Sequence, residues 1–160
     1  MVERVVVIGG DAAGMSAASQ AKRMRGDGLE VVVLERSHHV SYSACGIPYW
    51  VGGDVHSVDD LIARTPEEHR KNGIDLRMRC EATGIDLDSR KVEVRDHDRG
   101  ETSQLPFDQL VIATGARPRR PDVDGITAEG VLGVQTLDDG EKAIAELQRV
   151  PGRAVVVGGG

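Results

Sequence analysis

Arg4-Val-Val-Val-Ile-Gly-Gly-Asp-Ala-Ala-Gly14 sets the architecture of this chain. Its aliphatic residues predict a buried parallel strand over 4–8, and the Ala-rich run after the glycines predicts a helix over 12–25. A strand that ends in a glycine-rich turn and continues as a helix is how a dinucleotide-binding βαβ unit begins. The chain closes on a second strand and turn, Arg153-Ala-Val-Val-Val-Gly-Gly-Gly160, so the sequence predicts one nucleotide-site opening and the start of another.

The residues between these two turns continue an α/β pattern. Thr65-Pro-Glu-Glu68 is a capping box, which predicts a helix over 66–71. We also predict a helix over 138–150, capped by Asp138, and a short helix directly after Cys45. The turn at Asp88-Ser89 joins two strands into a small antiparallel meander. The predicted strands after the first are 30–34, 74–79, 83–87, 91–95, 107–113 and a terminal strand that begins at Arg153.

Composition restricts the class of partner. The 160 residues are 39% hydrophobic and 29% charged, which is typical of a soluble globular protein. A net charge of -6 disfavours nucleic acid and anionic membranes as partners. No apolar run approaches the roughly 20 residues that span a bilayer, and the first strand leaves no room for a signal peptide. We therefore expect a cytoplasmic protein, and no spacing in the sequence predicts a metal site.

The turn over 9–14 fits a phosphate-binding role in part. Dinucleotide-binding turns carry Gly at the first, third and sixth positions; Gly9 and Gly14 fit, whereas Asp11 occupies the third. The helix N-terminus still offers N–H groups to a pyrophosphate, with the Asp11 carboxylate expected to point away from it. Glu35, at the end of the second strand, is placed to accept ribose hydroxyls. The alternative is an ordinary βα turn followed by a solvated glutamate.

Cys45 is a candidate redox residue. It lies in Ser41-Tyr-Ser-Ala-Cys-Gly-Ile-Pro-Tyr49, just before the predicted short helix, whose N-terminus favours a thiolate. It has no second cysteine at the spacing of a local dithiol, and a lone thiolate can attack an external disulfide or be oxidised to a sulfenic acid. The alternative is a buried, inert cysteine, which is the role that we predict for Cys80 inside a strand.

Motifs along the whole chain together give it a family resemblance. The turn segment 7–18, Leu34-Glu-Arg36, Ser43–Tyr49 and Ala113-Thr-Gly-Ala-Arg-Pro118 resemble the FAD-dependent pyridine nucleotide-disulfide oxidoreductases. The chain is most similar to their single-cysteine branch, which includes coenzyme A-disulfide reductase, NADH oxidase and NADH peroxidase. The resemblance implies an α/β, Rossmann-like FAD-binding domain over 1–117, incomplete in this chain. It also implies a linker, helix and first strand of a truncated NAD(P)-binding domain over 118–160.

The same resemblance implies roles for individual residues. The turn would hold the FAD pyrophosphate, Glu35 the adenosine ribose, and the Ala82 backbone the adenine. Cys45 would face the isoalloxazine ring, accept electrons from it and form a mixed disulfide or a sulfenic acid. The intact enzyme would take electrons from NAD(P)H and form a homodimer. The residues implied to contact FAD are Gly9, Gly10, Asp11, Ala12, Ala13, Gly14, Glu35, Arg36, Ser43, Ala82, Ala113, Thr114 and Gly115.

The resemblance also implies a substrate-binding surface on the first helix. Ser16, Gln20 and Arg23 are spaced four and three apart, so they share one helix face. In coenzyme A-disulfide reductases the matching positions, together with Ser41, contact coenzyme A, and a cation such as Arg23 suits a phosphate. The alternative is a solvated helix face. The residues predicted to pack this helix against the sheet are Ala13, Ala17, Ala21 and Met24.

These observations leave three hypotheses for the function. The first is an oxidoreductase whose intact form reduces coenzyme A disulfide or a related thiol compound. The second is an NADH oxidase or peroxidase in which Cys45 cycles through a sulfenic acid. The third is a non-catalytic module that binds flavin or adenine nucleotide. Ala44 stands where coenzyme A-disulfide reductases often carry Asn, so the electron acceptor stays open.

Overall fold

The computed structural model describes residues 2–149 and 152–158, which divide into two compact units. The first unit takes 2–43 and 62–116, and the second takes 44–61 and the described residues beyond 116. The predicted division into domains over 1–117 and 118–160 stays a prediction. In chain order, the helices and strands are β1 (Glu3–Ile8), α1 (Ala12–Arg25), β2 (Leu29–Glu35), α2 (Ile47–Gly52), α3 (Pro66–Lys71), β3 (Ile74–Met78), β4 (Cys80–Asp86), β5 (Lys91–Asp96), β6 (Glu101–Pro106), β7 (Gln109–Ile112) and α4 (Leu137–Arg149).

A parallel sheet of four strands, in the order β3-β2-β1-β7, forms the centre of the first unit. Alternate residues of its strands serve two different cores, because successive side chains point to opposite faces. Val32 and Leu34 pack with the antiparallel sheet, whereas Val31 and Val33 pack with α1. Covering both faces explains why β2 is an almost unbroken aliphatic run. The predicted Rossmann-like α/β fold is confirmed.

The antiparallel sheet has three strands, β4-β5-β6, one more than the sequence predicted. The missed strand, β6, is exposed over Glu101–Gln104 and buries only Leu105, so its sequence carries little alternation of apolar and polar residues. It is held by its pairing with β5, which runs from Lys91↔Pro106 to Asp96↔Glu101. The predicted strand over 107–113 is shorter, because Phe107 leaves the parallel sheet to pack in the core beneath the antiparallel one.

Helix α1 packs against the sheet through a face that agrees with the prediction only in part, since Ala21 packs against the core as predicted. Gly14, Met15 and Ala18 are buried, whereas Met24 is 73% exposed and Ala13 is also exposed. The physical reason lies at Gly14, where an added Cβ would overlap the Gly9 carbonyl oxygen. Because of this close approach, the helix face that carries Gly14 and Ala18 packs against the sheet. The predicted packing by Ala13 and Met24 was therefore wrong.

Helix α3 occupies the predicted residues and carries the predicted capping box. Thr65 Oγ1 accepts a hydrogen bond from Glu68 N at 3.3 Å, and Glu68 Oε2 accepts one from Thr65 N at 2.7 Å. The second bond holds the pKa of the Glu68 carboxyl below its usual value. Two of the orphan donors at the start of this short helix, the N–H groups of Thr65 and Glu68, are therefore satisfied within one turn.

Replacing Thr65 with alanine is expected to lower the free energy of unfolding by about 1 kcal/mol, because the cap of α3 is lost. Urea denaturation followed by circular dichroism measures this change. Glu67→Ala, an exposed substitution in the same helical turn, is the control and should change stability by less than about 0.5 kcal/mol. Equal effects of the two substitutions would contradict the capping role.

The second unit contains α2 and α4, which contact each other. Gly140 permits this contact, since an added Cβ would lie 2.8 Å from a ring carbon of Trp50. The cap of α4 is Thr136 and not Asp138 as predicted. Thr136 Oγ1 accepts a hydrogen bond from Asp139 N at 3.2 Å, and Asp139 Oδ2 accepts one from Thr136 N at 3.0 Å.

Two predictions fall at the end of the chain. The last helix was predicted to end at Val150, which lies outside the described residues. Within the described residues this helix runs to Arg149. The predicted terminal strand is wrong for the described residues, because 153–157 are irregular and Val155–Val157 are at least 80% exposed. A parallel strand needs a neighbouring strand to satisfy its backbone, and no described strand pairs with this segment. No described helix is both long enough and apolar enough to span a membrane.

Candidate functional site

The glycine turn brings three backbone segments into close contact. Gly9 has φ of 111°, and an added Cβ would overlap the carbonyl oxygen of Ala113, just beyond β7. Gly9 N donates to Leu34 O at 2.9 Å, and Ala113 N donates to Ile8 O at 2.8 Å. The first N–H groups of α1 have no acceptor within the helix, and that of Ala12 interacts with the Asp11 carboxylate. The turn is therefore a tight backbone cradle at the carboxyl ends of β1, β2 and β7.

Glu35 is fixed against this turn by both of its carboxylate oxygens. Oε2 accepts a hydrogen bond from Gly10 N and Oε1 accepts one from Ser37 N, each at 2.7 Å. Gly10 must lack a side chain here, because an added Cβ would lie 2.8 Å from Glu35 Cβ. A carboxylate has about four lone-pair sites, so two remain for hydroxyl donors. The geometry suits a ribose held beside the turn.

Asp11, at the third position of the turn, directs its carboxylate toward Tyr42. Asp11 Oδ1 accepts a hydrogen bond from Tyr42 N at 3.3 Å. Partial burial raises the pKa of Asp11, and the nearby negative charge of Glu35 adds to this effect, while the Tyr42 and Ala12 N–H groups oppose it. The carboxylate forms part of the wall of the neighbouring cleft.

An open cleft of about 560 Å³ lies within the first unit, between α1 and the segments that carry Ser41 and α3. The structure brings the four predicted substrate residues together in this cleft. Ser16, Gln20 and Arg23 form one wall, and Ser41 lies on the other. Arg23 Nη2 donates to Gln20 Oε1 at 2.7 Å, which orients the guanidinium along the helix face. Their shared face is as predicted from the spacing, and their role as ligand contacts stays a prediction.

Arg64 and His69 complete the second wall, and the sequence did not identify either residue. They reach the cleft because the backbone of Ala63 donates to Ser41 O at 2.8 Å, alongside an isolated bridge between Tyr42 and Ile62. These contacts join positions far apart in the chain, so no local pattern reports them. The only local signal was the capping box, which places α3 directly after Arg64.

His69 is a buried polar residue with one unsatisfied nitrogen. It is 2% exposed, and its Nε2 lies 2.9 Å from Ser41 Oγ. Its Nδ1 is buried and has no hydrogen-bond partner among the described residues. Burial lowers the pKa of His69, the positive charge of Arg64 lowers it further, and Glu68 opposes both. Ser41 itself has φ of 48°, a left-handed conformation that is uncommon outside glycine and clusters at functional sites.

Cys45 lies in the second unit, in a 3-10 turn over Ala44–Gly46 that leads directly into α2. Its side chain is exposed, so the alternative of a buried packing cysteine does not apply to it. Cys80 is buried in the core of the antiparallel sheet, where burial raises the pKa of the thiol. The Cys45 thiol is therefore accessible to solvent and to external molecules, whereas the Cys80 thiol is not.

The remaining predicted cofactor residues are distributed around the edges of the first unit. The Arg36 carbonyl accepts a hydrogen bond from Arg79 Nη1 at 3.3 Å. Ala82 lies at the register shift of β4, and Thr114 and Gly115 are exposed after β7. Ser43 ends the first segment of this unit and is exposed. Among the described residues, no cluster of His, Cys, Asp and Glu could hold a metal ion.

Comparison with known proteins gives a family match over almost the whole chain. Residues 3–160 match the family described as pyridine nucleotide-disulphide oxidoreductase. The chain is 36% identical over 158 residues to an NADH oxidase of Methanocaldococcus jannaschii, covering 98% of this chain and 35% of that protein. It is 42% identical over 162 residues to an NAD(P)H sulfur oxidoreductase (CoA-dependent) of Pyrococcus abyssi, covering 98% and 34%. The chain thus spans about a third of the length of these relatives.

A solved structure supports the same relationship. The NAD-dependent persulfide reductase from A. fulgidus superposes with a TM-score of 0.85 at 42% sequence identity. The match covers 91% of this chain and 27% of that one. Enzymes of the matched family depend on FAD and NAD(P)H.

Proposed function

Because the chain belongs to the pyridine nucleotide-disulphide oxidoreductase family, we propose that it holds FAD at its glycine turn and carries electrons on Cys45 to a small thiol compound. FAD supplies the two-electron chemistry when it is bound, with NAD(P)H as the source of the electrons. The observation that carries this proposal is the cradle formed by the glycine turn and Glu35. At Gly9, Gly10 and Gly14 the neighbouring atoms lie so close that a side chain would not fit.

The residues of the cradle fit the polar part of FAD. The N–H groups at the start of α1, which have no acceptor within the helix, and the positive end of the α1 dipole favour a pyrophosphate. Glu35 retains acceptor capacity for the ribose hydroxyls, and Gly10 lets its carboxylate lie close to the turn. Asp11 would disfavour a phosphate directly above it, and its hydrogen bond to Tyr42 N draws the carboxylate toward the cleft. The departure from glycine at this position is therefore compatible with the proposed site.

Cys45 would perform the exchange with the substrate. Its thiolate attacks one sulfur of a disulfide; the new Cys45–sulfur bond forms as the S–S bond breaks, and the leaving thiolate takes a proton. Two-electron reduction of the mixed disulfide, which bound FAD would supply, would release the second thiolate and restore that of Cys45. Exposure of the side chain supports this role, because the sulfur must reach an external molecule.

The cleft would bind the carrier part of the substrate. Arg23 and Arg64 have no salt bridge to an acid among the described residues, so their charges are available to an anion. A guanidinium is the preferred partner of a phosphate. The phosphates of a coenzyme A disulfide or persulfide would suit the charge of the cleft.

Titration of the purified chain with FAD, followed by the change in flavin fluorescence, tests the cofactor site. We expect saturable binding, and we expect Glu35→Ala to weaken it by about tenfold because hydrogen bonds to a charged acceptor are lost. Glu101→Ala removes an exposed carboxylate of β6 and is the control for the change in net charge. Equal affinities of the Glu35 variant and the unsubstituted chain would contradict the ribose-binding role.

An NADH oxidase or peroxidase is the second candidate, favoured by the exposure of Cys45 and by the name of the M. jannaschii relative. In this reaction the Cys45 thiolate attacks one oxygen of peroxide; the O–O bond breaks, and hydroxide leaves and takes a proton to become water. The product on the protein is a sulfenic acid. Intact-mass spectrometry after peroxide treatment with dimedone would show one adduct at Cys45, whereas coenzyme A disulfide would give a much larger one. The adduct that forms faster identifies the acceptor.

A further inference from the structure

The Ser41–His69 pair on the second wall of the cleft has a consequence for ligand binding. His69 Nε2 and Ser41 Oγ lie 2.9 Å apart, so one of them donates and the other accepts. Which one donates depends on the ring tautomer, and the tautomer is fixed by what the second nitrogen can do. That nitrogen, Nδ1, is buried without a partner among the described residues.

The unsatisfied nitrogen distinguishes the two tautomers. If Nδ1 carried the proton, a buried N–H donor would have no acceptor, which is rare and costly in folded proteins. If Nε2 carries it, only a lone pair at Nδ1 is left unsatisfied. A doubly protonated ring would also leave the Nδ1–H orphaned, and burial together with Arg64 lowers the pKa of His69, which opposes that form. The favoured state is a neutral ring with its proton on Nε2.

In this state His69 donates to Ser41 Oγ and occupies an acceptor site of the hydroxyl. The Ser41 hydroxyl proton is then free to rotate toward the cleft, where the two cations Arg23 and Arg64 outnumber the one carboxylate, that of Asp11. A hydroxyl whose proton is free to donate, in a cleft that also contains two guanidinium groups, matches an anionic oxygen.

We propose that His69 is a positioning residue that makes Ser41 a hydrogen-bond donor to a phosphate group of the cleft ligand, with Arg64 as a second cation beside Arg23. This inference rests on the proposed function only in taking a phosphorylated thiol as the ligand. His69 does not touch the ligand in this arrangement and acts through Ser41. The specificity of the cleft for phosphate therefore depends on a buried ring that no sequence motif reports.

Two substitutions of His69 separate positioning from packing. His69→Phe keeps an aromatic ring of similar size and removes the donor, whereas His69→Gln keeps an N–H donor on a side chain that can reach Ser41. We expect calorimetric titration of the whole chain with coenzyme A to show about tenfold weaker binding for His69→Phe and for Ser41→Ala. His69→Gln should stay within about threefold of the unsubstituted chain. The double variant Ser41→Ala/His69→Phe should bind no more weakly than Ser41→Ala alone, since the two residues act as one unit.

Pantetheine, which carries no phosphate, is the control ligand. Its affinity should be the same for the unsubstituted chain and for His69→Phe, whereas a merely structural effect of the substitution would weaken both ligands. The ¹⁵N shifts of the His69 ring give a readout that needs no ligand, and we expect an unprotonated Nδ1 and a protonated Nε2. A protonated Nδ1, equal weakening of pantetheine and coenzyme A, or no binding of coenzyme A would each overturn the inference. None of these outcomes changes FAD binding or the reactivity of Cys45, which test the proposed function separately.

Discussion

Cys45→Ser is expected to abolish mixed-disulfide formation with coenzyme A disulfide. A serine hydroxyl is not ionised at neutral pH and does not attack a disulfide, whereas the exposed Cys45 sulfur can. Intact-mass spectrometry of the chain after incubation with coenzyme A disulfide measures the effect as loss of the adduct. This is the largest change that we expect from one substitution, because the other cysteine does not substitute for it.

Cys80→Ala is the matched control for this experiment. Cys80 is buried, and burial raises the pKa of its thiol, so its thiolate is scarce and inaccessible. The Cys80 variant should form the adduct at the same rate as the unsubstituted chain. An adduct that persists in Cys45→Ser, or that disappears in Cys80→Ala, would show that the reactive sulfur has been assigned to the wrong residue.

Gly14→Ala is expected to destabilise the chain by more than about 3 kcal/mol and to abolish FAD binding. The added methyl group would overlap the Gly9 carbonyl oxygen and lie 3.2 Å from Val7 Cγ1, so α1 must move away from the turn. Such a shift separates the helix N-terminus from the rest of the cradle and exposes the core at Ala18. Urea denaturation and FAD titration measure the two losses.

Gly28→Ala is the control for the change from glycine to alanine. Gly28 lies in the 3-10 turn after α1, and nothing lies within 4 Å of the position of an added Cβ. Its stability should stay within about 0.5 kcal/mol of the unsubstituted chain. If Gly14→Ala unfolded at the same urea concentration as Gly28→Ala, the close packing of α1 on the turn would not be what fixes the site.

The sequence correctly predicted the helix bounds that depend on neighbouring residues. Helix α3 has the predicted bounds because Thr65 and Glu68 satisfy its first donors without help from the rest of the chain. Helix α1 also has the predicted bounds, but two of the residues assigned to its packing face, Ala13 and Met24, are exposed. The composition of an alanine-rich helix does not say which alanine faces the sheet, and that choice is made by Gly14 through a backbone contact.

Features that depend on distant contacts could not be predicted. Strand β6 has an exposed, polar sequence over Glu101–Gln104 and exists through its ladder with β5. The residues 153–157 have a strongly apolar sequence and yet form no strand. A high β-propensity is not enough, because the backbone N–H and C=O groups of a strand need a neighbouring strand as their hydrogen-bond partner. The predicted substrate wall on α1 followed from helical spacing, whereas Arg64 and His69 reach the same cleft through Ser41 and Ala63.

The visible absorption spectrum of the chain incubated with FAD tests the central claim most directly, because it reports cofactor and thiolate together. We predict a yellow protein that keeps its flavin through gel filtration and gains a long-wavelength charge-transfer band on partial reduction. The band should be absent from Cys45→Ala and present in Cys80→Ala. A chain that stays colourless after incubation with FAD, or a band that survives in Cys45→Ala, would contradict the account.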